Sequence, residues 1–146
     1  MCLLRADYCI FSGLITLIVI IIFCEIDCSN NLLTSLPSSI CQLTKLRIIN
    51  CSYNLLDELS PGIGQLRKLE FLDCSHNHLK ELPPDISQLT QLHYLDCSYN
   101  LLDELSPGIG QLTKIGSLDC SHNHLKRMPH EIIRLRIYGK LIYLII

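Results

Sequence analysis

Apolar side chains recur along this chain at a fixed spacing of 23 positions. Three of the columns that are apolar in every unit contain Leu36, Leu59, Leu82, Leu105 and Met128, then Ile40, Ile63, Ile86, Ile109 and Ile132, then Leu43, Leu66, Leu89, Leu112 and Leu135. Five units begin at Ile26, Ile49, Leu72, Leu95 and Leu118 and cover residues 26–140 without a gap. A single unit of this length cannot bury its own apolar side, so the pattern predicts stacked repeats that share one core.

Each unit contains one short segment with the alternation of a β-strand. The sequence around Leu72 predicts that Leu72 and Cys74 point into the core, while Phe71, Asp73 and Ser75 point outward. Later in the unit, apolar residues are spaced by three or four, which favours short helical turns. Successive strands should therefore pair in parallel into a curved sheet, with the helical turns behind it.

The complete unit, L-x-x-L-x-C-x-x-N-x-L-x-x-L-P-x-x-I-x-x-L, resembles the leucine-rich repeat, with cysteine in place of the last leucine of L-x-x-L-x-L. Its length and its L-P-x-x-I segment are most similar to the intracellular Ras-group subclass. The resemblance implies an α/β fold, a right-handed solenoid with a curved parallel β-sheet on its concave face. It also implies a non-enzymatic module that binds a partner protein on that face, such as a small GTPase or a signalling complex.

One column of the repeat is asparagine rather than apolar. Its members are Asn31, Asn54, Asn77, Asn100 and Asn123. The resemblance implies that these side chains form hydrogen bonds to backbone groups of the turn and of the neighbouring unit. We therefore interpret the column as structural.

Cysteines form a second column in the strand segments. The chain contains nine cysteines, an odd number, and the column contains Cys28, Cys51, Cys74, Cys97 and Cys120. Neighbouring strands would bring these residues close together, but parallel side chains point the same way and keep their β-carbons too far apart for a disulfide. Buried cysteine behaves as a small hydrophobic residue, so we interpret the column as core thiols.

Paired histidines near two of these cysteines suggest a metal site at first sight. His76 and His78 follow Cys74, and His122 and His124 repeat the arrangement in a later unit. The histidines should face outward and the cysteines inward, so they cannot converge on one ion. We expect no metal and no cofactor, and a Cys/His metal-binding protein is the least favoured functional class.

The outward positions of the strands supply the predicted partner-binding face. It contains Ile48, Asn50, Phe71, Asp73, Tyr94, Asp96 and Asp119. Stacked carboxylates repel one another, and a basic partner would relieve that repulsion. A second interpretation of the aspartates is that they satisfy local polar groups, and the sequence leaves both open.

Composition excludes other classes of function. The formal net charge is -2, the pI is about 6.3, and no run of lysine or arginine is longer than a pair, so we expect no nucleic-acid binding. The outward positions bring no nucleophile beside a histidine and a carboxylate, and no glycine-rich phosphate loop occurs. The chain is therefore predicted not to be an enzyme.

A pair of units has been duplicated within the array. Residues 51–83 and 97–129 are identical at 27 of 33 aligned positions. The differences are Arg67/Thr113, Leu69/Ile115, Glu70/Gly116, Phe71/Ser117, Glu81/Arg127 and Leu82/Met128. The paired histidines are thus inherited copies, which weakens them as evidence for a metal.

Residues 1–25 form an apolar segment before the repeats, and residues 8–24 carry no charge. The uncharged stretch, residues 8–24, is at the lower length limit for a membrane-spanning helix. Three interpretations stay open: a membrane anchor or signal that contacts lipid through residues 8–24, an apolar cap over the first unit, or sequence foreign to the array. The Ras-group resemblance favours cytoplasmic repeats, whereas the sequon Asn50-Cys51-Ser52 favours the secretory pathway and a membrane-anchored or secreted recognition ectodomain.

Residues 141–146 are predicted to begin an incomplete sixth repeat. The repeat spacing places Leu141 in the inward column occupied by Leu118. An open apolar edge at this end predicts self-association, membrane contact, or a continuation of the array in a longer protein.

Overall fold

The computed structural model describes residues 24–137 and 143–145. Its strands are three residues long and occur once per repeat: β1 (Glu25–Asp27), β2 (Ile48–Asn50), β3 (Phe71–Asp73), β4 (Tyr94–Asp96), β5 (Ser117–Asp119) and β6 (Tyr143–Ile145). They form one six-stranded sheet in sequence order, and every neighbouring pair is parallel. The predicted α/β solenoid with a curved parallel sheet is confirmed.

The register of the sheet follows the sequence repeat from β1 to β5. Ile49 pairs with Leu72, and Leu72 pairs with Leu95, so equivalent positions of neighbouring units lie side by side. Identical columns in the sequence therefore become rows of contacting side chains across the sheet. This register makes each column of the repeat a continuous surface or core feature.

Short helical turns run behind the sheet, as the apolar spacing predicts. The first four are 3₁₀ helices, Ser38–Gln42, Pro61–Gln65, Pro84–Gln88 and Pro107–Gln111. Three of them begin with proline, whose fixed φ and missing N–H suit the first helical position. The fifth element on this side is an α-helix, α1 (Ile132–Ile137).

These turns pack so closely that glycine is required in two of them. A β-carbon on Gly64 would lie 2.6 Å from the carbonyl oxygen of Asp85 in the next turn. The same addition to Gly110 would lie 2.6 Å from the Cβ and the carbonyl oxygen of Glu131. Neighbouring turns thus stack backbone against side chain at spacings that only glycine permits.

The core between sheet and turns is aliphatic and continuous along the array. In the second unit, Ile49, Leu56, Ile63, Leu66 and Leu69 are all almost fully buried. The corresponding residues of the third and fourth units are buried in the same way. The burial pattern agrees with the shared core expected from the apolar columns of the repeat.

The sixth strand shifts relative to the expected spacing. Leu118 pairs with Leu144, three positions later than the predicted Leu141. The last turn contains the α-helix α1 where the other units have a 3₁₀ helix, and an α-helix has more residues per turn. The longer turn explains why strict extrapolation of the repeat was wrong at this point.

The apolar segment before the repeats lies outside the described residues, apart from its last two positions. Cys24 and Glu25 are described, and Glu25 begins β1. In the part of the chain that the structure covers, no helix is long and apolar enough to cross a membrane.

Candidate functional site

The predicted binding residues line the outward face of the sheet in two adjacent columns. The first column contains Ile48, Phe71 and Tyr94, and the second contains Asn50, Asp73, Asp96 and Asp119. All seven side chains are half-buried, because strands about 4.8 Å apart partly cover one another's side chains. The fold therefore assembles residues from four successive repeats into one surface.

The aspartate column makes local hydrogen bonds. Asp73 Oδ1 accepts from the backbone N–H of Ser75 at 3.0 Å and from its hydroxyl at 2.7 Å. Asp96 and Asp119 make the same two contacts with the serines that follow them. One oxygen of each carboxylate is thus committed to the turn that ends its strand.

The serines themselves correct the expectation that Ser75 points outward. The exposed fraction of Ser75 is only 5%, and its equivalents in neighbouring units are similarly buried. The hydroxyl turns toward the carboxylate of Asp73 and is covered, because the chain leaves the strand after Asp73 and the alternation ends there.

Phe71 and Tyr94 form a stacked pair on the open face. Their ring centroids lie 4.4 Å apart and their planes are inclined by 3°. The Tyr94 hydroxyl donates to Asp96 Oδ2 at 3.2 Å. Partial burial, followed by the charge of Asp96 and this hydrogen bond, raises the pKa of Tyr94 to about 12. The pair joins an apolar platform to the carboxylate row.

The asparagine column lies inside the solenoid and connects each unit to its neighbours. Asn77 Nδ2 donates to the carbonyls of Cys74 and Ser75 in its own unit and to that of Cys51 in the preceding unit. Its Oδ1 accepts the backbone N–H of Leu56 at 3.0 Å. Asn54 and Asn100 repeat the arrangement. Among the described residues, no buried side-chain nitrogen or oxygen lacks a partner.

The inward cysteines line the core beneath the asparagines. Cys51, Cys74 and Cys97 are fully buried free thiols, and each sulfur lies 3.3–3.4 Å from a carbonyl oxygen of the next strand. Burial raises the pKa of all three thiols well above their ordinary value. A protonated, inaccessible thiol is a poor nucleophile and a poor metal ligand.

A second aromatic row, which the sequence reasoning missed, borders the sheet where the strands end. Tyr53, His76, Tyr99 and His122 stack in succession, with centroid distances of 4.0, 4.1 and 4.0 Å. All four have positive φ, between 51° and 53°, which is uncommon for such residues. The signal in the sequence is the alternation of tyrosine and histidine in one column of the repeat.

The histidines therefore take part in ring stacking, and their column is exposed or half-buried as expected. Between residues 24 and 137, no three His, Cys, Asp or Glu side chains are grouped so that they could hold a metal ion. Cys74 lies in the core while His76 stacks at the surface, which separates the two residue types that a zinc site would need together.

Comparisons with known proteins agree with this geometry. Residues 67–111 match the family model for leucine-rich repeats in two copies. No curated protein matches the chain. Among solved structures, a leucine-rich-repeat protein of Leptospira interrogans is 33% identical with a TM-score of 0.70, over 80% of this chain and 30% of the other.

Two proteins of Listeria monocytogenes are also similar. The functional domain of InlJ, which includes a cysteine ladder, is 33% identical with a TM-score of 0.64, over 76% of this chain and 23% of that one. An internalin, InlF, is 24% identical with a TM-score of 0.66, over 76% of this chain and 32% of that one. This chain spans less than a third of the length of each of the three structures.

The chain thus contains leucine-rich repeats and folds as a leucine-rich-repeat solenoid. Proteins of this class generally mediate protein–protein interactions.

Proposed function

We propose that this chain is a non-enzymatic interaction module that binds a partner protein on the outward face of its sheet. The observation that carries the proposal is the stacked Phe71–Tyr94 pair, which lies on an open sheet face beside a row of carboxylates. Aromatic side chains are enriched where protein interfaces lose the most water, and they contribute a large share of binding energy.

The carboxylate row defines the chemistry of the partner. Asp73, Asp96 and Asp119 lie on successive strands, and each uses one oxygen for its serine contacts. The second oxygen of Asp96 accepts from the Tyr94 hydroxyl. Like charges at this spacing repel by about 1 kcal/mol per pair in a water-like dielectric. A partner with lysine or arginine at its surface would remove that repulsion, so we expect a basic partner whose binding weakens with salt.

The test compares partner capture by matched variants of the full chain in cells. Phe71→Ser installs the residue that the duplicated unit has at Ser117, and Tyr94→Ala removes the other ring. Glu104→Ala changes an exposed side chain outside both outward columns and is the control. A specific partner should be retained by the control and lost with both ring variants. Capture that is equal in all three proteins would contradict the proposal.

By resemblance to the Ras-group repeats, we further propose a cytoplasmic scaffold in signalling, with a small GTPase or a signalling complex as partner. The L-P-x-x-I segment and the buried thiols support this assignment, because reduced cysteines suit the cytosol. Protease treatment of microsomes from cells that express the full chain tests this assignment. We expect the repeats to be degraded before the microsomal membrane is lysed and Asn50 to be unmodified.

The sequon at Asn50 favours a second candidate, a membrane-anchored or secreted recognition ectodomain. Asn50 lies on β2 in the outward column, where a glycan would cover part of the binding face. Protected repeats together with a mass shift removed by an N-glycosidase would select this candidate. A metal-binding role is the weakest candidate, and an unchanged Tm on addition of zinc is expected.

A further inference from the structure

Two adjoining cavities lie at the edge of the sheet where the chain enters β2 and β3. They have volumes of about 520 and 640 Å³, and both are lined by Lys45, Arg67 and Lys68. The larger one is also lined by Arg47 and Glu70. Lys45 and Lys68 occupy equivalent positions of neighbouring units, so the repeat brings together cations that are one full unit apart in the sequence.

This edge carries a concentrated positive charge on a chain that is negative overall. The larger cavity has four cationic side chains and one carboxylate, 4 − 1, which gives a formal charge of +3, against -2 for the whole chain. Glu70 is committed to Arg47, with Nη2 and Oε1 2.5 Å apart. Within the part of the chain that the structure describes, the ion pairs are this one and Lys126–Asp103, so Lys45, Arg67 and Lys68 have no carboxylate partner there.

The duplicated units differ most at this same edge. Four of the six differences between residues 51–83 and 97–129 fall within positions 67–71. Arg67 and Glu70, which line the larger cavity, are replaced in the later unit by Thr113 and Gly116. Since 27 of 33 positions are identical, drift spread evenly along the unit would not concentrate the changes at this edge. The later copy therefore lacks the arginine and the glutamate of this edge and keeps its lysine, Lys114.

We propose that this basic edge binds an oxyanion of the phosphate or sulfate type. Arginine presents a planar donor fork that matches such a group, and flanking lysines add charge without fixed geometry. The Arg47–Glu70 pair holds one guanidinium in place at the rim. The site is separate from the outward columns of the sheet, and its occupation requires no partner protein.

Isothermal titration of the full chain with inorganic pyrophosphate at constant ionic strength tests the proposal. Arg67→Thr and Lys68→Gln install residues found at the equivalent positions Thr113 and Gln91. Each should weaken binding roughly threefold, and the double variant roughly tenfold. Lys80→Gln removes the same charge from an exposed position that does not line either cavity and should leave the affinity unchanged.

Two results would overturn the proposal: no saturable binding of pyrophosphate, or an equal loss of affinity in Lys80→Gln and Lys68→Gln. All the altered side chains are exposed, so circular dichroism should show intact folds and a lost affinity will report the site. The oxyanion could belong to a lipid headgroup or to a free phosphate compound, and parallel titrations with a water-soluble inositol trisphosphate and with inorganic tripolyphosphate, which have similar charge, separate the two. Tighter binding of the inositol trisphosphate identifies a lipid headgroup, and equal or weaker binding identifies a free phosphate compound.

Discussion

Phe71 and Tyr94 lie side by side on neighbouring strands, with ring planes inclined by 3° and centroids 4.4 Å apart. Parallel register places equivalent residues of neighbouring units next to each other, so two outward aromatics one repeat apart must meet. The stack is consequently a direct product of the repeat spacing, and it remains open on the side away from the core.

The outward position of this pair predicts that Phe71→Ser changes the free energy of unfolding only slightly. Loss of the stacking contact should cost about 0.5–1.5 kcal/mol, and because Phe71 is only half-buried, the added loss of apolar burial is smaller than for a fully buried side chain. The adjacent inward change, Leu72→Ala, should cost about 2–5 kcal/mol because Leu72 is fully buried. Urea denaturation followed by circular dichroism measures both, and a Phe71→Ser loss as large as that of Leu72→Ala would reverse the assigned facing.

Asn77→Ala should destabilise the solenoid. The side chain donates to three backbone carbonyls and accepts one backbone N–H from two units. Each carbonyl keeps a second donor after truncation, but the buried N–H of Leu56 loses its acceptor. The expected loss is about 1–3 kcal/mol. His78→Ala, at an exposed neighbouring position, is the matched control in the same urea titration and should change little. Similar values for the two variants would refute a structural role for the asparagine column.

Gly64→Ala should also destabilise the fold. The added methyl group would lie 2.6 Å from the Asp85 carbonyl oxygen, so the stacked turns must separate. Overpacking of this kind typically costs about 1–3 kcal/mol. At Gly116 the nearest atom is the His93 carbonyl oxygen at an ordinary 3.5 Å, and Gly116→Ala should be neutral or slightly stabilising. Equal thermal midpoints for the two variants would contradict the tight packing of the turns.

The hydroxyl of Tyr94 on the sheet face should lose its proton at a higher pH than an ordinary tyrosine. The pKa of Tyr94 is raised from 10.0 to about 12, so the folded chain retains the proton that the unfolded chain loses in this range. Stability supplied by this group is complete below pH 10 and is lost as the pH rises toward 12. The difference in phenolate absorbance between the wild type and Tyr94→Phe isolates this group. Asp96→Asn should lower the pH midpoint of the Tyr94 titration. The pKa of Tyr94 should still lie above its ordinary value, because partial burial also raises it.

Thiol labelling should distinguish the cysteine column from an accessible cysteine. Cys51, Cys74 and Cys97 are buried, and the pKa of each thiol is raised well above the ordinary value, so they should not react in the folded protein at neutral pH. Among the cysteines that the structure describes, half-buried Cys24 should react before this column. Peptide mapping after labelling with and without urea reads each position, and labelling of Cys74 without denaturant would show that the column opens.

Much of the architecture follows from the repeat alone. The inward direction of Leu72 and the outward direction of Phe71 were predictable, because successive side chains of a strand point to opposite faces. The exceptions arise where the alternation ends: Ser75 turns back to its aspartate, and Tyr53 and His76 adopt a left-handed backbone that brings their rings together. Such departures depend on the path of the turn, which residue type alone does not specify.

The solenoid, the shared aliphatic core and the columns that form its surfaces were all specified by the repeat in the sequence, because units of this length can bury their apolar positions only by stacking. The specific contacts between side chains of different units were decided only by the tertiary structure. The Tyr–His row, the Arg47–Glu70 pair and the basic edge around Arg67 each join residues of neighbouring repeats. These contacts depend on the close approach of the turns and on their local backbone angles, and a linear pattern contains neither.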